Sequence, residues 1–203
     1  MKIAVAGASG RAGSEITKEL SRRGHAVTAI ARNPEKIAAL PNVTPTRGDV
    51  LDQAGLAKLS VGHDVAVSSV HFLASDALKL IGAAKDAKVG RYLAVGGAGS
   101  LEVAPGVKLV TTPNFPAQYK AEAEAGSAFL DLLRQEKHLN WTFISPSALF
   151  IEGERTGKFR LGTDQLLADA NGKSWITFAD YAIPLADEIE RPAHLRQRFT
   201  VGY

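Results

Sequence analysis

Three glycines near the start of the chain have the spacing GxxGxxG, in the segment Gly7-Ala8-Ser9-Gly10-Arg11-Ala12-Gly13. The segment follows a short apolar run typical of a buried strand and opens a segment with helical periodicity. In this context Gly7 permits a tight turn, Gly10 lets the backbone approach a pyrophosphate, and Gly13 lets the helix pack closely on the strand. The N-terminus of the helix adds free N–H groups and a partial positive charge. We therefore expect residues 7–13 to bind the pyrophosphate of a dinucleotide.

The end of the second apolar run indicates which dinucleotide is bound. A protein that binds NAD usually carries Asp or Glu there to hold the ribose 2′-hydroxyl. This chain instead reads Ala29-Ile30-Ala31-Arg32-Asn33. The Arg32 guanidinium can pair with a 2′-phosphate, and Arg11 is placed to reach the same phosphate. We expect NADPH rather than NADH, the alternative for Arg32 being a solvated turn residue.

Short apolar runs alternate with amphipathic segments over the first two-thirds of the chain. This pattern predicts strands at 3–6, 26–31, 43–47, 64–70, 91–95 and 141–144, and helices at 11–23, 34–40, 75–87 and 116–137. The last third is less regular, with strands expected at 158–161, 173–178 and 198–201 and a helix at 179–190. Alternation of this kind favours a parallel sheet with helices on both faces. We expect one α/β domain over 1–203, with a cofactor-binding core to about 148 and substrate-side and C-terminal elements at 149–203.

The composition limits the classes of partner. Of the 203 residues, 45% are hydrophobic and 22% charged, and the net charge is +3. The basic residues are spread along the chain, whereas a nucleic-acid binder usually concentrates them on one element. No apolar stretch reaches the roughly 18 residues that span a bilayer. The sequence has no cysteine and no HExxH spacing. We expect a cytoplasmic protein that binds no nucleic acid, membrane or metal.

Five further segments extend the pattern of the glycine loop: Arg32-Asn33-Pro34, Gly48-Asp49-Val50, Asp64-Val65-Ala66-Val67-Ser68-Ser69, Arg91-Tyr92-Leu93-Ala94-Val95-Gly96-Gly97-Ala98 and Leu139-Asn140-Trp141-Thr142-Phe143-Ile144-Ser145-Pro146. With them the sequence resembles the short-chain dehydrogenase/reductase superfamily, in its atypical branch, over nearly the full chain. It is most similar there to the NAD(P)H-flavin reductases and NmrA-like proteins, which include flavin reductases of the biliverdin reductase B type. The resemblance implies a Rossmann-like, doubly wound parallel sheet with a small C-terminal extension on the substrate side.

The resemblance also implies roles for residues at the ends of the strands. Asp49 and Val50 border the adenine, while Ser68, Ser69 and Val70 line the path of ribose and phosphate. Gly96, Gly97 and Ala98 lie near the nicotinamide ribose, and Pro146, Ser147 and Ala148 lie beside the carboxamide. The residues themselves leave alternatives open, because Asp49 also suits a turn that caps a helix, and serines commonly end a strand.

The main departure from the superfamily concerns catalysis. Ordinary members use a Tyr-x-x-x-Lys motif, in which the lysine lowers the pKa of the tyrosine for proton transfer. No tyrosine of this chain has a lysine four residues later. This weakens any assignment as an alcohol dehydrogenase or sugar epimerase, which needs a positioned acid/base. The catalytic residues stay unassigned, with Tyr119, Ser100 and His71 as the candidates.

One chemistry tolerates this absence. A flavin or quinone accepts hydride directly when its ring stacks on the nicotinamide, so the protein supplies orientation and a dry pocket more than proton transfer. We therefore expect an NAD(P)H-dependent reductase that passes hydride from NADPH to such a planar acceptor, as a monomer or homodimer. Segments 99–115 and 150–173 are expected to wall the acceptor pocket. Phe115, Tyr119 and Phe150 are the candidates to stack on the acceptor, with core packing as their alternative.

Two other functions fit the same residues. NmrA-like relatives bind a dinucleotide and act as redox sensors through a protein partner, without turnover. The other alternative is an epimerase or dehydratase that uses bound NAD and oxidises no added NADPH. Saturable oxidation of NADPH by a flavin or quinone separates a reductase from both.

Overall fold

The short apolar runs of the sequence become strands in the computed structural model, which describes residues 1–203. The strands are β1 (Lys2–Ala6), β2 (Ala26–Ala31), β3 (Val43–Arg47), β4 (Val65–Ser68), β5 (Arg91–Val95), β6 (Glu102–Ala104), β7 (Val107–Lys108), β8 (Trp141–Pro146), β9 (Leu149–Ile151), β10 (Arg160–Gly162), β11 (Trp175–Thr177) and β12 (Gln197–Gly202). The helices are α1 (Arg11–Arg22), α2 (Gln53–Ser60), α3 (Ala77–Asp86), α4 (Ala117–Gln135) and α5 (Phe178–Glu190).

Eight strands form the central sheet in the order β10-β12-β8-β5-β4-β1-β2-β3. All neighbours in it are parallel except β10, which runs antiparallel to β12. The strand order reverses at β1, where Ala6 pairs with Ile30 on one side and Ser68 on the other. The sheet therefore has a topological switch point at the carboxyl end of β1, the usual position of a ligand crevice. The predicted doubly wound parallel sheet is confirmed.

Two apolar cores cover the two faces of this sheet. On one face, Ile16 and Leu20 of α1 and Tyr181 of α5 pack on β1, β2 and β12. On the other face, α2, α3 and α4 pack through side chains such as Leu80 and Leu130. Ile16 and Leu20 are four residues apart and fully buried, so the helical period of the sequence directly sets the face that α1 buries. None of the five helices combines the length and hydropathy needed to cross a bilayer.

The elements that differ from expectation are short and depend on distant partners. Helix α2 was not expected, and it begins where the Asp52 carboxylate accepts the backbone N–H of Gly55 at 3.0 Å. The expected helix at 34–40 is a single 3₁₀ turn at Pro34–Lys36. The small pair β6–β7 lies inside the segment 99–115, which was expected to be a long loop. Strand β9 was not expected either, although its partner β11 lies within the strand expected at 173–178. Local pattern does not reveal such strands, because their pairing is set by the tertiary fold.

A buried ion pair joins the sheet to α5 at the amino ends of the strands. Arg91, at the start of β5, donates to a Glu188 carboxylate oxygen at 2.8 Å, and both side chains are almost fully buried. Glu188 also accepts the backbone N–H and the ring Nδ1 of His194, at 3.0 and 2.8 Å. Burial favours a neutral Glu188, but the bonds from His194 and Arg91 outweigh it and hold the pKa of the carboxyl below its usual value.

We predict that Glu188→Gln lowers the free energy of unfolding at pH 7 by about 3 kcal/mol, because it leaves the Arg91 charge buried without a counter-ion. Since the folded pKa of Glu188 is depressed, its contribution is present above about pH 4.3, the usual glutamate value, and is lost as the pH falls below it. The difference between wild type and variant should therefore shrink on acidification.

Urea unfolding at pH 7 and pH 4 measures both effects, with Glu124→Gln as the control because Glu124 is exposed and makes no ion pair. A Glu188→Gln variant as stable as this control at pH 7 would contradict the prediction.

Candidate functional site

The glycine loop between β1 and α1 is packed too closely for side chains. Gly7 has a φ of +82°, and a Cβ there would lie 2.0 Å from the Ser69 carbonyl oxygen. A Cβ on Gly13 would lie 2.1 Å from the Gly7 carbonyl oxygen. Contacts this short are impossible. The turn therefore requires glycine at position 7, and the close approach of α1 to β1 requires glycine at position 13.

The N-terminus of α1 is open to a ligand. Gly10 is its N-cap and has no side chain to supply a capping hydrogen bond. The backbone N–H groups of Arg11, Ala12 and Gly13 have no acceptor within the protein. Ser9 and Gly10 are exposed in front of them, while Ala8 is buried. This arrangement suits a phosphate, because the free N–H groups and the helix dipole both attract an anion.

Three arginines at the carboxyl edge of the sheet have no hydrogen-bond or ion-pair partner. Arg11, Arg32 and Arg47 are exposed and form no hydrogen bond or ion pair within the protein, whereas every other arginine does. Arg32 directly follows β2, and Arg47 ends β3, where it is in register with Ala31. Arg11 lies 5.7 Å from the centroid of the Phe178 ring. Unpaired guanidinium groups gathered at one edge of a sheet form an anion site.

The residues expected to border an adenine follow β3. Asp49 is exposed, and its carboxylate accepts the backbone N–H of Leu51 at 2.9 Å. Asp52, rather than Asp49, caps α2. Val50 is half-buried against the core on the α2 side. Asp49 and Val50 therefore lie at the carboxyl edge next to Arg47, with Asp49 in a turn of its own.

The three residues at the end of β4 differ in burial: Ser68 lies in the interior, whereas Ser69 and Val70 reach the surface. Ser68 is buried, and its hydroxyl lies 2.7 Å from the Tyr92 hydroxyl of β5, so it contacts a strand neighbour. Burial raises the pKa of that tyrosine, which keeps it neutral. Ser69 and Val70 are half-buried and approach Gly7 through the Ser69 carbonyl and the Val70 side chain. Ser69 and Val70 form the wall beside the glycine loop.

The ends of β5 and β8 are also tightly packed. A Cβ on Gly96 would lie 2.3 Å from the Phe143 ring, and one on Gly97 would lie 3.4 Å from the Phe72 ring. Pro146 and Ser147 are buried, and the Ser147 hydroxyl donates to the Val201 carbonyl at 3.2 Å. Ala98 is half-buried and Ala148 is exposed. Gly97, Ala98 and Ala148 are thus the residues of these two ends that a ligand can reach.

The three catalytic candidates have different surroundings. Tyr119, in the first turn of α4, is 60% exposed and hydrogen-bonds nothing through its hydroxyl. Ser100 is buried and accepts a hydrogen bond from Arg198 at 3.3 Å. His71 follows β4 and is exposed, with its Nδ1 3.4 Å from a Glu122 carboxylate oxygen. The structure therefore leaves His71 and Tyr119 at the surface of the carboxyl edge and gives Ser100 a contact in the interior.

The aromatic candidates for stacking also differ. Phe150 packs against Phe178 and Tyr181, with ring centroids 4.4 and 4.7 Å away, so it belongs to the core on the α1 and α5 side. Phe115 is half-buried just before α4. Beyond Phe178, an open groove of about 400 Å³ runs along the N-terminal half of α1, lined by Arg11, Ser14, Lys18, Glu152 and other residues.

Sequence reasoning missed three residues of this edge. Arg47 ends the predicted strand 43–47, and the signal for it was that the preceding strand, 26–31, is also followed by an arginine, Arg32. Glu122 follows Tyr119 by three residues, a spacing that puts both on one face of a helix. Phe178 gave no signal, because its position over Arg11 depends on the fold of the last third of the chain.

Comparison with known proteins agrees with this geometry. A model of the NAD(P)H-binding family matches residues 7–188, which include the glycine loop and both faces of the sheet. The chain belongs to this NAD(P)H-binding family. Its cofactor is accordingly a nicotinamide dinucleotide, and the free N–H groups of α1 fit the pyrophosphate of such a molecule.

Three crystal structures with provisional names are similar over the whole chain. An exported protein of Burkholderia pseudomallei is 43% identical, with a TM-score of 0.89 and full coverage of both chains. An epimerase of Bacteroides thetaiotaomicron is 38% identical, with a TM-score of 0.94, and is covered over 96% of its length. An NADH-flavin reductase of Streptococcus pneumoniae TIGR4 is 36% identical, with a TM-score of 0.82, and is covered over 99%. These similarities support an oxidoreductase-like role for a member of the NAD(P)H-binding family.

We predict that Gly13→Ala weakens binding of NADPH at least tenfold and destabilises the fold by about 1–3 kcal/mol, because its methyl group would overlap the Gly7 carbonyl and push α1 away from β1. Quenching of tryptophan fluorescence by added NADPH, together with urea unfolding, measures the two effects.

Gly82→Ala is the matched control. It lies within α3, and its methyl group would meet only the flexible end of the Gln53 side chain. The control should bind NADPH as wild type does. Unchanged binding by Gly13→Ala would show that the close approach of α1 to β1 does not shape the site.

Proposed function

We propose that this protein is an NADPH-dependent reductase that transfers hydride to a planar acceptor such as a flavin or quinone. The observation that carries the proposal is the lack of a tyrosine–lysine pair beside a preformed dinucleotide cradle. Tyr119 is exposed, and the residue four positions later is Ala123. Ala123 packs so closely against Gly99 that a Cβ added to Gly99 would lie 2.7 Å from the Ala123 Cβ. Direct hydride transfer to a stacked ring needs orientation more than a positioned tyrosine.

The three unpaired arginines support NADPH over NADH. The 2′-phosphate of NADPH carries the negative charge that distinguishes the two cofactors, and Arg32 stands at the end of β2 where an NAD-binding protein has an acid. Arg47 and Arg11 add positive charge from the neighbouring strand and from the glycine loop. Because none of these guanidinium groups has a partner in the protein, binding a phosphate breaks no existing ion pair.

Exposed apolar side chains support a flat, partly apolar acceptor. Leu73 and Tyr119 follow β4 and β5 in the chain, and Leu149 follows β8; their exposed fractions are 65%, 60% and 49%. These segments all follow strands whose carboxyl ends form this edge, as do the accessible residues Gly97 and Ala148. An aromatic ring is the ligand that such side chains stabilise best. The name of the Streptococcus pneumoniae relative, an NADH-flavin reductase, agrees with this chemistry.

The proposal is tested by oxidation of NADPH, followed at 340 nm, with FMN, riboflavin and a simple quinone as acceptors and with NADH run in parallel. We expect saturable oxidation that prefers NADPH. Tight NADPH binding without oxidation by any acceptor would overturn the reductase and favour a redox sensor that acts through a partner. Nicotinamide cofactor that stays bound through purification, with no oxidation of added NADPH, would favour an epimerase or dehydratase.

We predict that Arg32→Ala lowers kcat/KM for NADPH by about 10- to 100-fold, the loss of one charge-assisted hydrogen bond to a phosphate, and changes the value for NADH by less than about twofold. Arg191→Ala is the control, since it removes the same charge from the exposed C-terminal end of α5, at the other edge of the sheet. Equal losses with NADPH and NADH, or an equal loss in the control, would contradict a 2′-phosphate contact.

A further inference from the structure

The segment 69–72 crosses the carboxyl-edge crevice from the cofactor cradle to the end of β5. Its first residue, Ser69, packs its carbonyl against Gly7, and its last, Phe72, places its ring against Gly97. His71 lies between these two contacts in the chain, and consecutive Cα atoms are about 3.8 Å apart, so the backbone of His71 lies between the glycine loop and Gly97. Its side chain is 81% exposed.

His71 is the one histidine of the chain at this edge. His25, His63, His138 and His194 each come shortly before a strand of the parallel sheet, namely β2, β4, β8 and β12. They therefore lie at the amino edge, where His25 contacts Glu190 and His194 contacts Glu188. His71 instead follows β4. Imidazole is the side chain that most readily exchanges protons between about pH 5 and 8.

A carboxylate and an aromatic ring hold the backbone around His71. Glu122, on α4, accepts the backbone N–H of Phe72 at 2.6 Å and that of Leu73 at 3.0 Å, one through each oxygen. The Phe72 ring fills the space over Gly126, where a Cβ would come within 2.6 Å of it. It also stacks on Phe143 with a centroid distance of 6.4 Å. The backbone of the segment is thus fixed to α4 by two independent contacts.

The same carboxylate faces the imidazole. A Glu122 oxygen lies 3.4 Å from Nδ1 of His71, while Nε2 makes no hydrogen bond or ion pair within the protein. No lysine or arginine lies within 4.0 Å of Glu122, so its negative charge is not neutralised by another side chain. The Ser75 hydroxyl donates to the backbone carbonyls of His71 and Phe72, at 2.9 and 3.4 Å, and makes no hydrogen bond to the imidazole. Tyr119, one turn earlier on α4, is the other titratable side chain on this face of the helix.

We propose that His71 is the catalytic acid of the reductase and that Glu122 is its positioning residue. The inference rests on the proposed function and names the source of the proton. NADPH gives a hydride to the acceptor, so NADPH becomes NADP⁺ and the acceptor becomes an anion reduced by two electrons. The imidazolium then donates its Nε2 proton to this anion, which yields the dihydro product and a neutral imidazole. Solvent returns the proton to His71.

The test is the pH dependence of kcat/KM for riboflavin and a simple quinone, with NADPH saturating. We predict that the wild-type value falls with rising pH, because the protonated acid is the reactive form. In His71→Gln this fall of kcat/KM with rising pH, the limb of the pH profile, should disappear. The value of kcat/KM should itself be about 100-fold lower, the usual contribution of a general acid. Its Kd for NADPH should stay within about twofold of wild type, since only proton transfer is removed. Added imidazole should restore part of the activity of His71→Gly.

Two further variants separate catalysis from structure. Glu122→Gln should lower kcat more than it raises KM, because the backbone next to His71 loses the charged acceptor of two hydrogen bonds. His138→Gln, an exposed histidine at the amino edge, should keep the wild-type pH profile.

The outcomes distinguish this inference from the reductase itself. Wild-type oxidation of NADPH together with an unchanged pH profile in His71→Gln would overturn the role of His71 alone. Loss of the limb in Tyr119→Phe instead would overturn it in favour of the tyrosine, and loss of NADPH binding in His71→Gln would reduce the residue to a structural one. No turnover of wild type with any acceptor would overturn the reductase, and the proton donor with it.

Discussion

The close approach of three backbone segments at the switch point of the sheet determines the rest of the site. The turn at Gly7, the first turn of α1 at Gly13 and the end of β4 at Ser69 come so near one another that a single methyl group has no room. This packing fixes the direction in which α1 leaves the sheet. As a result its free N–H groups face the crevice, and segment 69–72 is held as the opposite wall.

Charged side chains are paired at one edge of the sheet and unpaired at the other. At the amino edge, Arg91 is paired with Glu188 in the interior, and the strand and helix ends there are held by ion pairs. At the carboxyl edge, Arg11, Arg32 and Arg47 are left without partners. A buried charge needs its partner, because removing one member of a buried pair is strongly destabilising, whereas an exposed unpaired charge is available to a ligand. Stability and binding therefore depend on different ends of the same strands.

The last third of the chain is attached to the cofactor cradle through buried carboxylates. Glu19 of α1 accepts two hydrogen bonds from Arg155, at 2.9 and 3.0 Å. Burial opposes a charged Glu19, but the bonds from Arg155 and Arg23 outweigh it and hold its pKa below the usual range. Asp180 of α5 accepts the backbone N–H groups of residues 156 and 157, each at 2.8 Å. The segment that walls the groove beside α1 is thereby fixed to the helix that begins at the glycine loop.

The sequence by itself determined the alternating strands, α1, the glycine loop and the position of Arg32, because each rests on a local pattern of apolar residues or glycines. Only the tertiary structure decided which polar and aromatic residues reach the crevice. Phe150 and Ser100 turned inward, since their neighbours come from α5 and β12. Arg47 and Glu122 became part of the edge through strand register and helix packing. These contacts join residues far apart in the chain, and no local pattern encodes them.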